Sequence, residues 1–136
     1  MEFRVQKPSV LVQKVLSDMP SFVHYHPLLH KIEPLGPDLF RVHERAPLFW
    51  GLSLPISYKA RVIRSPDRAQ ISYEAWPQGM ELHLHFRLIG RDGGTLVQEK
   101  ARAKGFGFFL DVLEKALRQS HEELFRRMSE DQELTN

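Results

Sequence analysis

Met80-Glu81-Leu82-His83-Leu84-His85-Phe86-Arg87-Leu88 alternates apolar and polar side chains without a break, and its reading decides the fold. Successive side chains of a strand point to opposite faces, so Met80, Leu82, Leu84, Phe86 and Leu88 share one face. Glu81, His83, His85 and Arg87 share the other. One face against a core and one in water is the pattern of an antiparallel sheet. Arg91-Asp92-Gly93-Gly94 follows and reads as a hairpin turn, because glycine takes positive φ at no steric cost. Thr95 to Lys104 returns as the partner strand. It has Val97, Glu99, Ala101 and Ala103 facing inward, and Gln98, Lys100, Arg102 and Lys104 facing out.

The same period of two extends upstream. Ala69 to Trp76 sets Ile71, Tyr73 and Ala75 inward, and Ser57 to Arg64 does so with Tyr58, Ala60 and Val62. Leu39 to Glu44 carries Phe40 and Val42 on one face, and Leu29 to Leu35 is a weaker strand. Gly36-Pro37-Asp38, Ser65-Pro66-Asp67 and Pro77-Gln78-Gly79 punctuate them as turns. At the start, Phe3 and Val5 alternate with polar neighbours as a short strand. Ser9 then reads as the N-cap of a short helix with a Val12, Val15, Leu16 and Met19 stripe. Pro20-Ser21 breaks it, Phe22 to Tyr25 adds a second piece, and Pro27 stops that. Beyond the sheet, Phe109, Val112, Leu113, Ala116, Leu117, Leu124 and Met128 recur at three- and four-residue spacing. They predict an amphipathic helix from about Phe108 to Met128, followed by a polar tail, 129–136, expected to fray.

Composition bounds the answer. The 136 residues suit one domain, and with 42% apolar and 26% charged side chains they suit an ordinary water-soluble one. Having no cysteine, the chain has no disulfide framework, thiolate metal site or cysteine nucleophile. Nineteen basic against seventeen acidic side chains leave +2, with the signs mixed along the chain. No nucleic-acid partner is therefore expected. Met1 to Pro8 lacks the apolar core of a secretory signal, and no stretch approaches the length of a membrane span. The expectation is a cytoplasmic protein with no stable membrane insertion.

Strand, two short helices, about six more antiparallel strands and one long helix is an ordered pattern. The long helix is the only element large enough to cover the sheet's apolar face. The order resembles the START/polyketide cyclase superfamily, also called helix-grip or SRPBCC. Its local cues are Lys7-Pro8-Ser9-Val10, His26-Pro27, Gly93-Gly94-Thr95-Leu96 and the Phe106-to-Met128 helix. The resemblance implies an α+β fold: a curved seven-stranded antiparallel sheet around the long C-terminal helix, with two short helices after the first strand. It also implies a cavity of the kind that takes lipids, sterols, isoprenoids or polyketide-like aromatics. It implies no single activity, because a fold hosts many.

The candidate site residues follow from that arrangement. Phe40, Tyr58, Tyr73, Leu84 and Phe86 on the strands would face Phe106, Phe109 and Leu113 on and before the helix. Buried tyrosine hydroxyls need partners, so Tyr58 and Tyr73 are candidate orienting groups. Ala46 to Ile56 is apolar but interrupted by Pro47, Gly51 and Pro55, and reads as a loop. Phe49 and Trp50 would either rim the cavity mouth or fold into the core. Glu99 and Glu44 sit on inward faces, where a carboxylate must be paired, protonated or wet. Each is a candidate acid or base, or else the partner of Arg45 or another neighbouring cation.

His83 and His85 share a strand face, as a metal pair requires, but that face is the solvated one. No metal and no cofactor is expected. His26 could reach the cavity from the second short helix. Lys100, Arg102 and Lys104 form an outward basic stripe read as solvated charge, and Gly105-Phe106-Gly107 lets the chain turn from strand to helix. The reading is a cavity that binds a hydrophobic small molecule. The alternatives are a cyclase or dehydratase using an inward Glu or Tyr, with Glu99, Tyr73 and Glu44 as its candidates, and a protein or membrane interaction module built on Trp50.

Overall fold

The computed structural model describes residues 1–47, 53–67, 69–105, 107 and 110–135. In it the alternating stretches become seven strands of one antiparallel sheet. In chain order the elements are β1 (Glu2–Val5), α1 (Ser9–Leu16), α2 (Met19–Tyr25), β2 (Leu29–Gly36), β3 (Leu39–Pro47), β4 (Ser53–Arg64) and β5 (Gln70–Ala75). A 3-10 turn (Pro77–Gly79), β6 (Glu81–Arg91), β7 (Gly94–Lys104) and α3 (Leu110–Glu130) complete the fold. The strand order is β1-β7-β6-β5-β4-β3-β2, so the first strand closes on the last.

The β6–β7 hairpin turns at Asp92 and Gly93, both at positive φ, with Arg91 opposite Gly94. Two consecutive positive φ angles match the right-handed twist of the strands they join, which is why Asp-Gly serves there. The inward faces are as the alternation requires over most of the sheet, but Ala101, expected inward on β7, is exposed. Ile71, Tyr73, Leu84, Phe86, Leu88 and Val97 are all buried. Helix α3 lays Leu117, His121, Leu124, Phe125 and Met128 against them. Phe125 packs between Phe3 at 5.0 Å and Phe86 at 6.3 Å between ring centroids. Each such side chain withdrawn from water contributes roughly 1.5–3 kcal/mol, so this stripe holds helix to sheet.

Several expectations are corrected. Ser9 is the first helical residue of α1, not its cap; Pro8 precedes it without a side-chain bond. Pro20 lies in the first turn of α2, where its missing N–H costs nothing. The cap of that helix is Asp18, whose carboxylate accepts from the Ser21 N–H at 3.2 Å. Of the stretch read as a loop from Ala46 to Ile56, the two ends are strand, Ala46 and Pro47 in β3 and Ser53 to Ile56 in β4, and 48–52 lie outside the described residues. Glu44 pairs with Ile56, Arg45 with Pro55, Ala46 with Leu54 and Pro47 with Ser53. Pro55 is tolerated because the β4–β5 ladder runs only over Ala60–Arg64, leaving this end of β4 paired on one side alone.

The expected loose tail begins as helix, since α3 runs to Glu130. Beyond it, Lys7 Nζ donates to the Asp131 and Leu134 carbonyls at 2.7 and 3.0 Å. The Tyr25 hydroxyl donates to Asp131 Oδ2 at 2.5 Å. Among the described helices, none is long and apolar enough to cross a membrane.

Candidate ligand cavity between the sheet and the long helix

The inward faces of β3, β4 and β6 do not meet α3 everywhere. Toward the Leu110 end of the helix they leave a chamber of about 320 Å³. Its described walls include Leu28, Ala46 from β3, Leu54, Ile56 and Tyr58 from β4, Pro77 and Gln78 from the 3-10 turn, and Met80 and Leu82 at and within β6. Val112, Leu113, Ala116, Leu117 and Ser120 supply the helix side. The strand residues are two apart and the helix residues one, three or four apart, the spacings that keep side chains on one face. A second space of about 60 Å³ lies deeper, between Tyr73, Leu84, His121 and the end of α2. His26, Glu44, Tyr58, Leu82 and Leu117 line both spaces and so stand at their junction.

Three of those junction residues are polar. Register places Glu44 opposite Ile56 and Tyr58 opposite Val42, making Glu44 and Tyr58 diagonal neighbours on the same sheet face. Removal from water pushes the Glu44 carboxyl up to about 7; bonding to the Tyr58 hydroxyl and the field of His121 pull the other way. Burial, and then the adjoining carboxyl, push the Tyr58 hydroxyl well above the usual phenol range. At neutral pH the Tyr58 hydroxyl therefore keeps its proton, and the Glu44 carboxyl is about half protonated. His26 follows α2 and is 7% exposed. Its Nδ1 accepts the Leu28 N–H at 3.1 Å. Burial, aided by the fields of His121 and Arg127, holds it well below the ordinary imidazole range. A neutral ring with Nδ1 accepting carries its proton on Nε2.

His121 completes the inner space. Its Nδ1 lies 2.7 Å from Glu99 Oε1, with both side chains essentially out of solvent. The His26 and His121 ring centroids are 5.5 Å apart, edge to face.

The expected site residues divide accordingly. Tyr58, Glu44 and Leu113 line the main chamber, and Tyr73 and Leu84 line the inner space. Phe86 is fully buried against Tyr73, His121 and Phe125 and lines neither space among the described contacts. Phe40 is half-buried and packs on the edge of the core. Glu99 is also absent from both walls, and its partner is His121 rather than Arg45. Tyr73 stacks on Phe22 at 4.7 Å, and its hydroxyl donates to the Leu16 carbonyl. That hydroxyl is thereby committed to the core. Phe49, Trp50, Phe106 and Phe109 lie outside the described residues.

Sequence reasoning missed His121. The signal was present: Leu117, His121, Leu124 and Met128 keep a four-three-four spacing that a polar letter interrupts. On the wet face, His83 lies 3.9 Å from Glu74, and a His85 ring nitrogen is 2.8 Å from the Ser72 hydroxyl.

Solved structures share this fold. A START superfamily protein from Mycobacterium smegmatis superposes with a TM-score of 0.78 at 14% identity, covering 99% of this chain and 97% of its own. The Zhui aromatase/cyclase from a Streptomyces species gives 0.65 at 17% identity, over 94% of this chain and 90% of that one. The di-domain ARO/CYC StfQ of the steffimycin biosynthetic pathway gives 0.75 at 17% identity, over 95% of this chain and 44% of that longer one. No protein-family model matches the sequence, and no curated protein matches it. The chain has the START/polyketide cyclase, helix-grip fold.

Proposed function

We propose that this protein binds a hydrophobic small molecule in the chamber between β3, β4, β6 and α3. The observation that carries the reading is the chamber itself. It has a volume of about 320 Å³, mostly apolar walls, and a few polar groups, His26, Glu44, Tyr58, Gln78 and Ser120. That is the composition of a small-molecule site, and the volume is at the low end of the roughly 300–1,000 Å³ such sites occupy. Within the lipid, isoprenoid or polyketide-like range, the volume favours a compact ring system over a long lipid. The two aromatase/cyclases of the same fold support the aromatic end of that range. Of the candidate acids and bases, Glu44 and Tyr58 line the chamber, while Glu99 and Tyr73 are engaged within the core.

Tetralin, a bicyclic hydrocarbon, tests the reading. Titrated into labelled protein, it should shift the amide resonances of Ile56, Leu82, Val112 and Ala116 and leave those of β1 in place. Shifts scattered over the outer sheet face, or none at all, would remove the cavity reading.

A further inference from the structure

We infer that the outer face of the sheet is an electrostatic docking surface for an anionic lipid bilayer, on which the protein adsorbs without inserting. The inference does not depend on the chamber, which lies on the opposite face of the sheet.

Strand alternation and register assemble the charge. Outward positions of β3 and β4 carry Arg41, Arg45, Lys59 and Arg61, and those of β6 and β7 carry Arg87, Lys100, Arg102 and Lys104. All but the half-buried Arg41 are exposed. The β7 stripe, read from sequence as solvated charge, is thus one flank of a wider basic face whose other flank lies far upstream in the chain. The carboxylates at outward strand positions are Glu2, Glu33, Glu74 and Glu81, and they have nearer partners. Glu33 lies 2.9 Å from His43 and 3.7 Å from Lys31. Glu74 lies 3.9 Å from His83, Glu2 accepts from the Gln98 amide at 3.2 Å, and Glu81 faces Lys104 across the ladder. Among the described residues, none of the eight cations named above is in an ion pair. Register even sets Arg41 directly opposite Lys59. Like charges so placed weaken a ladder, and anions laid over them relieve the repulsion.

The other side of the molecule has the opposite sign. Residues 110–135 hold seven carboxylate side chains against four cations, and the whole chain carries only +2. A negatively charged plane therefore turns the sheet toward itself and the long helix away. The breadth of the face selects that plane as the partner. Neighbouring strands lie about 4.8 Å apart, so the cations from β3 to β7 span roughly 19 Å. A bilayer rich in anionic headgroups presents charge over any such width. The major groove of a nucleic-acid duplex is only about 12 Å wide. Single strands are held by aromatic stacking, and no outward position described on β3 to β7 is Phe, Tyr or Trp. Leu35 and Ile63 are the only large apolar side chains exposed on the face among the described residues, too few to enter a bilayer.

Co-sedimentation with phosphatidylcholine vesicles, with and without roughly 30% phosphatidylserine, tests the inference. At about 50 mM salt the protein should bind the phosphatidylserine vesicles and not the others, and about 500 mM salt should release it. Lys59→Gln/Arg102→Gln removes one cation from each flank and should weaken binding about thirtyfold. Lys14→Gln/Lys115→Gln lowers the net charge equally from exposed positions on α1 and α3, and should weaken it less than about threefold. Thermal melting checks that both variants are folded. Absence of binding, equal binding to the two kinds of vesicle, retention at high salt, or equal losses in the two variants would overturn the assignment. So would a duplex RNA or polyglutamate held more tightly than the phosphatidylserine vesicles at the same salt, which would give the face to a nucleic acid or an acidic protein instead.

Discussion

His121 Nδ1 and Glu99 Oε1 lie 2.7 Å apart, from α3 to β7, with side-chain exposures of 1% and 0%, while Glu99 Oε2 has no partner among the described residues. The pair ties the long helix to the last strand at the level of the inner space. An enclosed carboxylate with a single hydrogen bond depends on that bond. Replacing either residue alone, Glu99→Leu or His121→Leu, should cost about 3–5 kcal/mol, because the survivor is left buried and unpaired. The double replacement should cost less than the two single losses added together. Urea denaturation of the four proteins measures this coupling, and additive losses would show that the two groups do not depend on each other.

Tyr73 and Tyr58 share a face of the sheet and differ in what their hydroxyls do. Tyr73→Phe leaves the Leu16 carbonyl without its donor inside the core, so it should lower stability by about 1–2 kcal/mol. Tetralin affinity should not change, because the ring still stacks on Phe22. Calorimetric melting and ligand titration of the same sample check both halves. A loss of binding without a loss of stability would reverse the roles assigned to the two tyrosines.

The strand faces were legible because water covers one side of the sheet. Alternation in Met80–Leu88 marks the inward set, and Leu84, Phe86 and Leu88 are buried where it says. The Asp92-Gly93 turn was legible because its backbone angles are ones few residues tolerate. Harder to read were residues whose letter and location disagree. His121 lies on the buried stripe of α3, and only its pairing with Glu99, 22 residues away in sequence, makes that affordable. Glu99 advertised itself as an inward carboxylate, but its partner sits on a helix whose rotation no local pattern states. Pro55 argued against a strand, yet nothing local reveals that β4 outruns β5 and leaves an unpaired edge. Glu44 and Tyr58 were placed on inward faces from alternation alone. Their meeting depends on the β3–β4 register.

Glu44 should make stability depend on pH in the direction opposite to a salt-bridged carboxylate. Its carboxyl is raised to about 7 in the folded protein, from an ordinary value of 4.5 when unfolded. Between those values the folded state holds a proton that the unfolded state has released. Stability from this group is therefore full below about pH 4.5 and declines as pH rises to about 7, by up to about 3 kcal/mol, then levels off. Glu44→Gln should abolish that decline while other groups keep theirs. Denaturant midpoints from pH 4.5 to 8 for both proteins provide the comparison. Parallel curves would mean that Glu44 titrates normally.

Filling the chamber separates its role from that of the core around it. Ala116 faces the chamber from the middle of its helix wall, with Leu113 and Leu117 on either side. A core position resists enlargement, and overpacking there costs roughly 1–3 kcal/mol. A position facing open space accepts a larger side chain, which gains contacts instead of displacing them. Ala116→Phe should therefore hold stability to within about 1 kcal/mol of wild type and abolish tetralin binding, since the new ring occupies the same volume. Phe125→Ala, on the same helix but inside the packed stripe, should lose about 3–5 kcal/mol, the usual cost of emptying a buried aromatic site. Thermal melts with and without tetralin read both effects. If Ala116→Phe destabilises as Phe125→Ala does, the space between sheet and helix is core that happens to be loosely packed, and ligand binding must be sought elsewhere on the molecule.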